Sequence, residues 1–410
     1  FSKIVISDTK VLWENTTMNT PNPNPAREIP FFRPSFDRRE EEAAIRVLHS
    51  GWLTTGKETL AFEKEFADMV HSPYALAVNS ASNGLMLAME AFGIGKGTKI
   101  LTSPYTFVST ATSALHLGGE AVYADIEADS YSIDPEKIED KLKQDKSIKA
   151  IVPIHIAGNL CNMKAINSLA KKYNVAVIED AAHAFPAKTA DGYGGTFGDA
   201  GVFSFYATKT ITTGEGGMIC VRNPEAAERI KLMRSHGINR TIWDRYTDKH
   251  ASWQYDVVAE GYKCNLPDIL SAIGRVQLQK AEEFYRKRKL IAERFTRAFE
   301  PFDFFQVPPD GAGNAWHLYI LRIVPETLSV GRDDFARALQ ERGLGISVHF
   351  IPHFELTFLK ERYGLCAQDF PNAAAHYAQS ISLPFWPDMT DEDVQYVIDT
   401  VIDTAKKFRK

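Results

Sequence analysis

Between about residues 29 and 222 the chain alternates short apolar runs with amphipathic segments, and this alternation restricts the fold more than any other feature. Residues 74–78, 99–101, 121–123, 150–154, 175–179, 201–205 and 217–221 read as strands, being short apolar runs bounded by turn residues. Residues 59–70, 83–92, 108–117 and 163–172 carry apolar side chains at helical spacing. Parallel neighbours need a long crossover, and a helix used as crossover also covers the sheet. The expectation is an α/β fold with a mainly parallel central sheet and helices on both faces.

Beyond Pro267 the pattern changes. Proline at a first turn opens a long helix running past Arg288, with Leu270, Ile273, Val276 and Leu278 on a mostly apolar face. After it come fewer strands ("HLYILRI", "ISVHF"), two further helices and a terminal helix at 391–407, which reads as a smaller α/β unit. The expected division is 28–276 for the large domain and 277–410 for the smaller one. Residues 1–27, rich in Asn, Thr and Pro without apolar periodicity, are expected to be a disordered tail without the features of a signal peptide. Because the chain begins with Phe1, Met18 is the expected natural start, with residues 1–17 of other origin.

Charge and cysteine usage narrow the function. Lys plus Arg number 47 against 52 for Asp plus Glu, so neither a nucleic-acid surface nor an acidic tail is indicated. Cys161, Cys220, Cys264 and Cys366 form no CxxC pair, which fits a reducing, cytoplasmic setting and argues against a zinc site. No apolar run is long enough to span a bilayer.

In open parallel sheets, ligands sit beyond the carboxyl ends of the strands. Asp180 closes "VAVIED" and Lys209 follows "GVFSFYAT", which brings an acid and an amine to that crevice; a salt bridge between them is the ordinary alternative. "YALAVNSASNGLMLAM" is a strand, a polar turn and a helix whose free amides suit a phosphate, with N-capping by Ser80 or Ser82 as its ordinary reading. Taken together, an amine to condense with an aldehyde, a carboxylate for a ring nitrogen and a helix start for a phosphate are the handles of pyridoxal 5'-phosphate (PLP).

The chain resembles the DegT/DnrJ/EryC1/StrS family of PLP-dependent sugar aminotransferases. The likeness is carried by "HSGWLTTGKETLAFEKEFA", "VIEDAAHAFPA", "GTFGDAGVFSFYATKTITTGEGGMI", "GYKCNLPDILSAIGRVQL", "WHLYIL" and "SLPFWPDMTDEDV". It implies the PLP-dependent transferase fold of type I, like that of aspartate aminotransferase, and a homodimer with shared active sites. By position, Lys209 would bond to the cofactor, Asp180 would pair with its ring nitrogen and His183 would contact the ring and its phenolic oxygen. Phe107 matches the stacking aromatic, and Ala81, Ser82 and Ser204 match the phosphate positions. Where many members read GYNYR this chain reads Gly261-Tyr-Lys-Cys-Asn265, so Lys263 stands at a phosphate-binding position and Asn265 at an arginine position. His317, His349 and Asn265 are the expected substrate contacts.

Other motifs carry less. His349 and His353 have the spacing of a helical metal pair, but Pro352 interrupts a helix and no glutamate follows His349, so no metal is expected. "TTGEGG" lacks the GK[ST] of a phosphate loop, and its glycines serve tight turning. The stretch between Ser235 and Lys263 combines Arg240, Arg245, Lys249 and Lys263 with Trp243, Tyr246 and Trp253, which suits a nucleotide-sugar pyrophosphate and base or a dimer partner better than nucleic acid.

The resemblance implies transamination from L-glutamate, released as 2-oxoglutarate, to a nucleotide-linked ketosugar, a UDP-4-keto sugar first. The product would be an aminosugar for surface polysaccharide or lipopolysaccharide. A C3-keto sugar acceptor and a non-catalytic PLP-binding sensor are the alternatives. Sugar dehydratases of the same family carry histidine where this chain has Lys209.

Overall fold

The computed structural model describes residues 27–240, 254–309, 311 and 313–410. The tail expected over 1–27 therefore lies outside it except for Arg27, which pairs with Asp393 at 2.5 Å. Trp243, Arg245, Tyr246, Lys249 and Trp253 also lie outside the described residues.

Seven strands form the main sheet: β1 (Tyr74–Val78), β2 (Lys99–Thr102), β3 (Glu120–Tyr123), β4 (Ile148–Ile151), β5 (Ala176–Asp180), β8 (Ala200–Ser204) and β9 (Gly217–Val221). Between β5 and β8, β6 (Lys188–Thr189) and β7 (Gly192–Tyr193) make a small hairpin. The order across the main sheet is β1-β9-β8-β5-β4-β2-β3. All neighbours are parallel except β9, which runs antiparallel to both β1 and β8. The loop that returns β9 beside β8 turns at Gly214 (φ 82) and Gly216 (φ 159), conformations that favour glycine.

The connections from β1 to β2, β2 to β3, β3 to β4 and β4 to β5 each carry a helix, as the sequence pattern requires, whereas β5 reaches its parallel neighbour β8 through the β6–β7 hairpin. Helix Ala81–Ala91 starts three residues after β1, capped by Ser80, whose Oγ accepts the Asn83 N–H at 3.2 Å. Its inward face of Leu85, Leu87, Ala88 and Met89 is buried against β8, β9 and helix Ser109–His116. Helix Asp268–Phe299 is continuous through position 276 and packs its first half on helices Arg38–Ser50 and Lys57–Val70. Its start is joined to the latter by Asp268, whose carboxylate accepts the N–H groups of Gly56, Glu58 and Thr59.

A second sheet of three antiparallel strands, β10 (Phe305–Gln306), β11 (Ile320–Ile323) and β12 (Ser380–Ser382), packs with helices Arg332–Glu341 and Asp391–Lys407 around Phe295, Phe299, Tyr319 and Phe335. Ile29 belongs to this second core. The strand expected at "ISVHF" does not form; a single bridge joins Ser347 to Ser382. The segment leaves the small sheet because its backbone is drawn to the main one: Tyr105 Oη donates to the His349 carbonyl at 2.9 Å and the His353 N–H to the Pro104 carbonyl at 2.8 Å. No helix of the described residues is long and apolar enough to cross a membrane. All four cysteines are unpaired thiols.

Candidate active site

The strand directions decide which side chains meet. β1, β2, β5 and β8 point the same way, so the turns after Val78, Thr102, Asp180 and Ser204 open onto one edge of the sheet. Those turns carry the start of helix Ala81–Ala91, Phe107, His183 and Lys209 respectively.

Asp180 ends β5 and is 4 % exposed. Burial pushes its carboxyl up from the ordinary value, against hydrogen bonds from Thr110 Oγ1 at 2.8 Å and the Ala182 N–H at 3.2 Å that favour the anion. No ion pair joins it to Lys209, so the salt-bridge alternative does not describe this pair. Lys209 follows β8 with its ammonium drawn down to about 8, because burial disfavours the charge more than Asp180 supports it. An amine of that character is neutral for part of the time near neutrality. It can act as a nucleophile or a base.

The next residue back from Asp180 is tied into the scaffold. Glu179 is fully buried and accepts the N–H groups of Gly195 (2.8 Å), Phe197 (2.7 Å) and Gly198 (2.6 Å), and His155 Nε2 at 2.8 Å. With His155 Nδ1 accepting the Cys161 N–H at 3.2 Å, His155 is the donor in its pair with Glu179. Four donors on one carboxylate fix the end of β5.

Val78, Gly217 and Ser204 lie side by side in the sheet register. Gly217 is what allows the helix start to come close: a Cβ there would lie 2.9 Å from the Ala81 nitrogen and 2.8 Å from the Phe203 carbonyl oxygen. Ser80 caps the Asn83 N–H, and as first-turn residues Ala81 and Ser82 have amides with no intrahelical acceptor. The Ala81 N–H and Ser204 adjoin the same glycine, with the Ser82 N–H one residue further along the helix. That is a setting for an anion.

Phe107 is 55 % exposed, and its ring lies 6.0 Å from that of Phe350. His183 is buried, and its Nδ1 accepts the Ala157 N–H at 3.2 Å, leaving Nε2 to carry the ring proton. Burial, with Lys209 and His349 nearby, holds it well below the usual histidine value. Its ring meets His317 at 4.3 Å and Phe350 at 5.5 Å. Ala157 itself adopts φ 59, an uncommon conformation for a non-glycine residue, and its carbonyl accepts the His317 N–H at 2.9 Å. His349 Nδ1 lies 2.9 Å from Ser382 Oγ, and burial, with Lys209 nearby, lowers this imidazole to about 4.

The fold thus gathers His183, His317 and His349 beside Lys209 and Asp180. It treats Lys263 and Asn265 differently. Lys263 is exposed and donates to Asn265 Oδ1 at 2.6 Å, while Asn265 Nδ2 donates to Thr55 Oγ1 at 2.7 Å. Thr110, Phe350 and Gly217 are contributors that sequence reasoning missed. The strand-end rule that located Asp180 would have reached Thr110 through "PYTFVST" had the helix start after β2 been examined for hydroxyls as well as for its aromatic.

The donor set fits PLP: an amine of lowered basicity, a buried carboxylate held by donors, unpaired helix-start amides beside Ser204, and an exposed aromatic ring. Comparison with known proteins agrees. A model of the DegT/DnrJ/EryC1/StrS aminotransferase family matches residues 34–402. The chain is 39 % identical over 381 residues to the spore coat polysaccharide biosynthesis protein SpsC of Bacillus subtilis, covering 92 % of this chain and 97 % of that protein. Among solved structures, Helicobacter pylori PseC, an aminotransferase involved in the biosynthesis of pseudoaminic acid, superposes with a TM-score of 0.86 at 29 % identity, over 93 % of this chain and all of that one (100 %). The PMP form of Spr1654 from Streptococcus pneumoniae, a protein also solved in a PLP form, gives 0.86 at 27 % identity, over 92 % of this chain and 99 % of that one. With the family model, the curated relative and the solved structures agreeing over nearly its whole length, this chain belongs to the DegT/DnrJ/EryC1/StrS aminotransferase family and is a PLP-dependent aminotransferase.

Proposed function

We propose that the protein moves an amino group from L-glutamate to a ketosugar carried on a nucleotide, a UDP-4-keto sugar first, and so makes an aminosugar for a surface polysaccharide or lipopolysaccharide. The observation that carries this reading is a buried Lys209 of lowered basicity beside a donor-held Asp180 in one crevice. The sugar acceptor is supported by the part SpsC takes in spore coat polysaccharide biosynthesis and PseC in that of pseudoaminic acid.

Bound PLP supplies an aldehyde that an amine can bond and a ring that takes up electrons from the reacting carbon. In this reading Lys209 Nζ, freed by the incoming amine, would carry the proton from the donor's α-carbon to the cofactor's aldehyde carbon in the first half of the cycle, and from that carbon to the sugar carbon in the second. The Asp180 carboxylate holds a proton on the ring nitrogen. Ala81, Ser82 and Ser204 hold the phosphate, Phe107 covers a ring face, and the His183 Nε2–H donates to the phenolic oxygen. His317, His349 and Asn265 touch substrate. Lys263 reaches the phosphate across a homodimer, and its exposure accords with that role. Exposed apolar side chains at Phe36, Ile45, Leu48 and Leu53 support burial against a second copy. The same proposal divides the chain into a cofactor-binding domain, 28–276, and a smaller domain, 277–410, and sets it in the cytoplasm.

Only a neutral amine attacks an aldehyde, and protonation silences it. Uptake of PLP by the cofactor-free protein is therefore expected to quicken as pH rises through about 8 and to level off above it, followed by stopped-flow absorbance. A midpoint at the ordinary lysine value would contradict the crevice environment assigned to Lys209.

The function itself is tested by the visible spectrum of the cofactor-loaded protein. Adding L-glutamate should remove the absorption band and adding 2-oxoglutarate should restore it. A band indifferent to glutamate and to other amino acids would replace the aminotransferase reading with that of a sensor. Given the half-reaction, UDP- and dTDP-ketosugars are compared as acceptors by mass spectrometry of the product.

A further inference from the structure

We propose that Thr106 and Thr110 form a one-directional chain of hydroxyls that holds Asp180 as an anion, which makes both of them positioning residues for its pairing with the cofactor ring. The inference rests on the role assigned to Asp180 above. A carboxyl that took up a proton would become a donor facing the ring N–H, and the pairing would be lost. Burial of Asp180 works in that direction, so the fold must supply an opposing influence.

The hydrogen-bond inventory identifies it. Asp180 Oδ2 accepts from Thr110 Oγ1 at 2.8 Å, and Oδ1 from the Ala182 N–H at 3.2 Å. A threonine hydroxyl has one proton. Thr110 spends it on Asp180, so its contact with Thr106 Oγ1 at 2.9 Å has only one consistent direction, with Thr106 donating. A hydroxyl that accepts one bond donates the next more strongly. Proton uptake on Oδ2 would place a hydrogen against the Thr110 hydrogen, and the chain would have to reverse. Both threonines are buried, so water does not replace either bond.

The other titratable groups near Asp180 are Lys209, whose cation favours the Asp180 anion, and His155, whose Nδ1 accepts the Cys161 N–H and whose one proton is turned to Glu179. Lys209 is the group whose charge the chemistry alters at every turnover. The threonine chain is a fixed contribution that outlasts those changes. It also lies on the turn that carries Phe107, so one turn supplies both the aromatic ring and the support for the carboxylate.

The test is a titration of cofactor-free protein carrying carboxyl-¹³C aspartate, with the Asp180 resonance assigned from Asp180→Asn. In Thr110→Val the midpoint of Asp180 should rise by roughly one to two pH units, the scale of one hydrogen bond to a charged group. Thr106→Val should raise it by less, and Thr110→Ser should restore it. A Thr110→Val midpoint equal to wild type, or a Thr110→Ser shift as large as that of valine, overturns the proposal. Should Thr110→Val not fold, Thr106→Val decides alone, since it leaves the Thr110 bond in place and a rise is still required. As a second readout, Thr110→Val should slow the glutamate half-reaction about tenfold or more with Thr110→Ser close to wild type. If wild type itself ignores glutamate, the functional reading fails while the titration still judges the threonine chain.

Discussion

Lys209→Ala is expected to lower the single-turnover rate of glutamate conversion by about 10,000-fold or more, because the variant loses both the nucleophile and the proton carrier. The rest of the site should survive. Asp180 keeps its hydrogen bonds from Thr110 and Ala182, and the amides of Ala81 and Ser82 with Ser204 remain beside Gly217, so PLP should still bind, although without a covalent link. The variant protein loaded with PLP should therefore show a spectrum of free aldehyde. Small primary amines added from solution should recover part of the proton transfer. Conversion within tenfold of wild type would remove Lys209 from the chemistry and send the search back to another amine.

Gly201→Ala is expected to cost about 3–5 kcal/mol of stability, as a denaturant midpoint would record. Gly201 lies in β8 between Glu179 and Cys220, and a methyl group there would overlap the Gly195 carbonyl. The neighbour is backbone and cannot swing aside. Moving it pulls the 195–198 turn away from Glu179, which then loses N–H donors while remaining buried. Since Glu179 adjoins Asp180, PLP affinity should fall with stability. A loss below about 1 kcal/mol would mean that the turn is freer than its three hydrogen bonds indicate.

Much of this was legible from the chain. β1 and β9 coincide with the expected 74–78 and 217–221, and the terminal helix with 391–407, because each has a clear period and clear bounds. Helix Arg38–Ser50 was overlooked because only Ala43 and Val47 of its apolar side chains are buried, though its capping box of Asp37 and Glu40 was a readable start signal. "ISVHF" has strand propensity, but after the Ser347–Ser382 bridge its His349 carbonyl turns to Tyr105, a residue 244 positions away that no local pattern announces. The reversal of β9 depended on a glycine loop whose direction periodicity does not encode. At the site, Asp180 and Lys209 were found by their place at strand ends. Thr110 was not, since a threonine in a helix's first turn looks ordinary until its partner is known. The bond between Lys263 and Asn265 is a local arrangement that their positions in the motif did not announce.

Ala157 joins two histories of the chain. Its N–H serves His183, its carbonyl serves His317, and the neighbouring Gly158 carbonyl accepts the Ala315 N–H at 3.0 Å. These bonds form a clasp across about 160 residues of sequence, so the two walls of the crevice that carry His183 and His317, proposed above to meet the cofactor and the substrate, are held together. A substitution that loosens the clasp should slow both half-reactions together and leave their ratio alone.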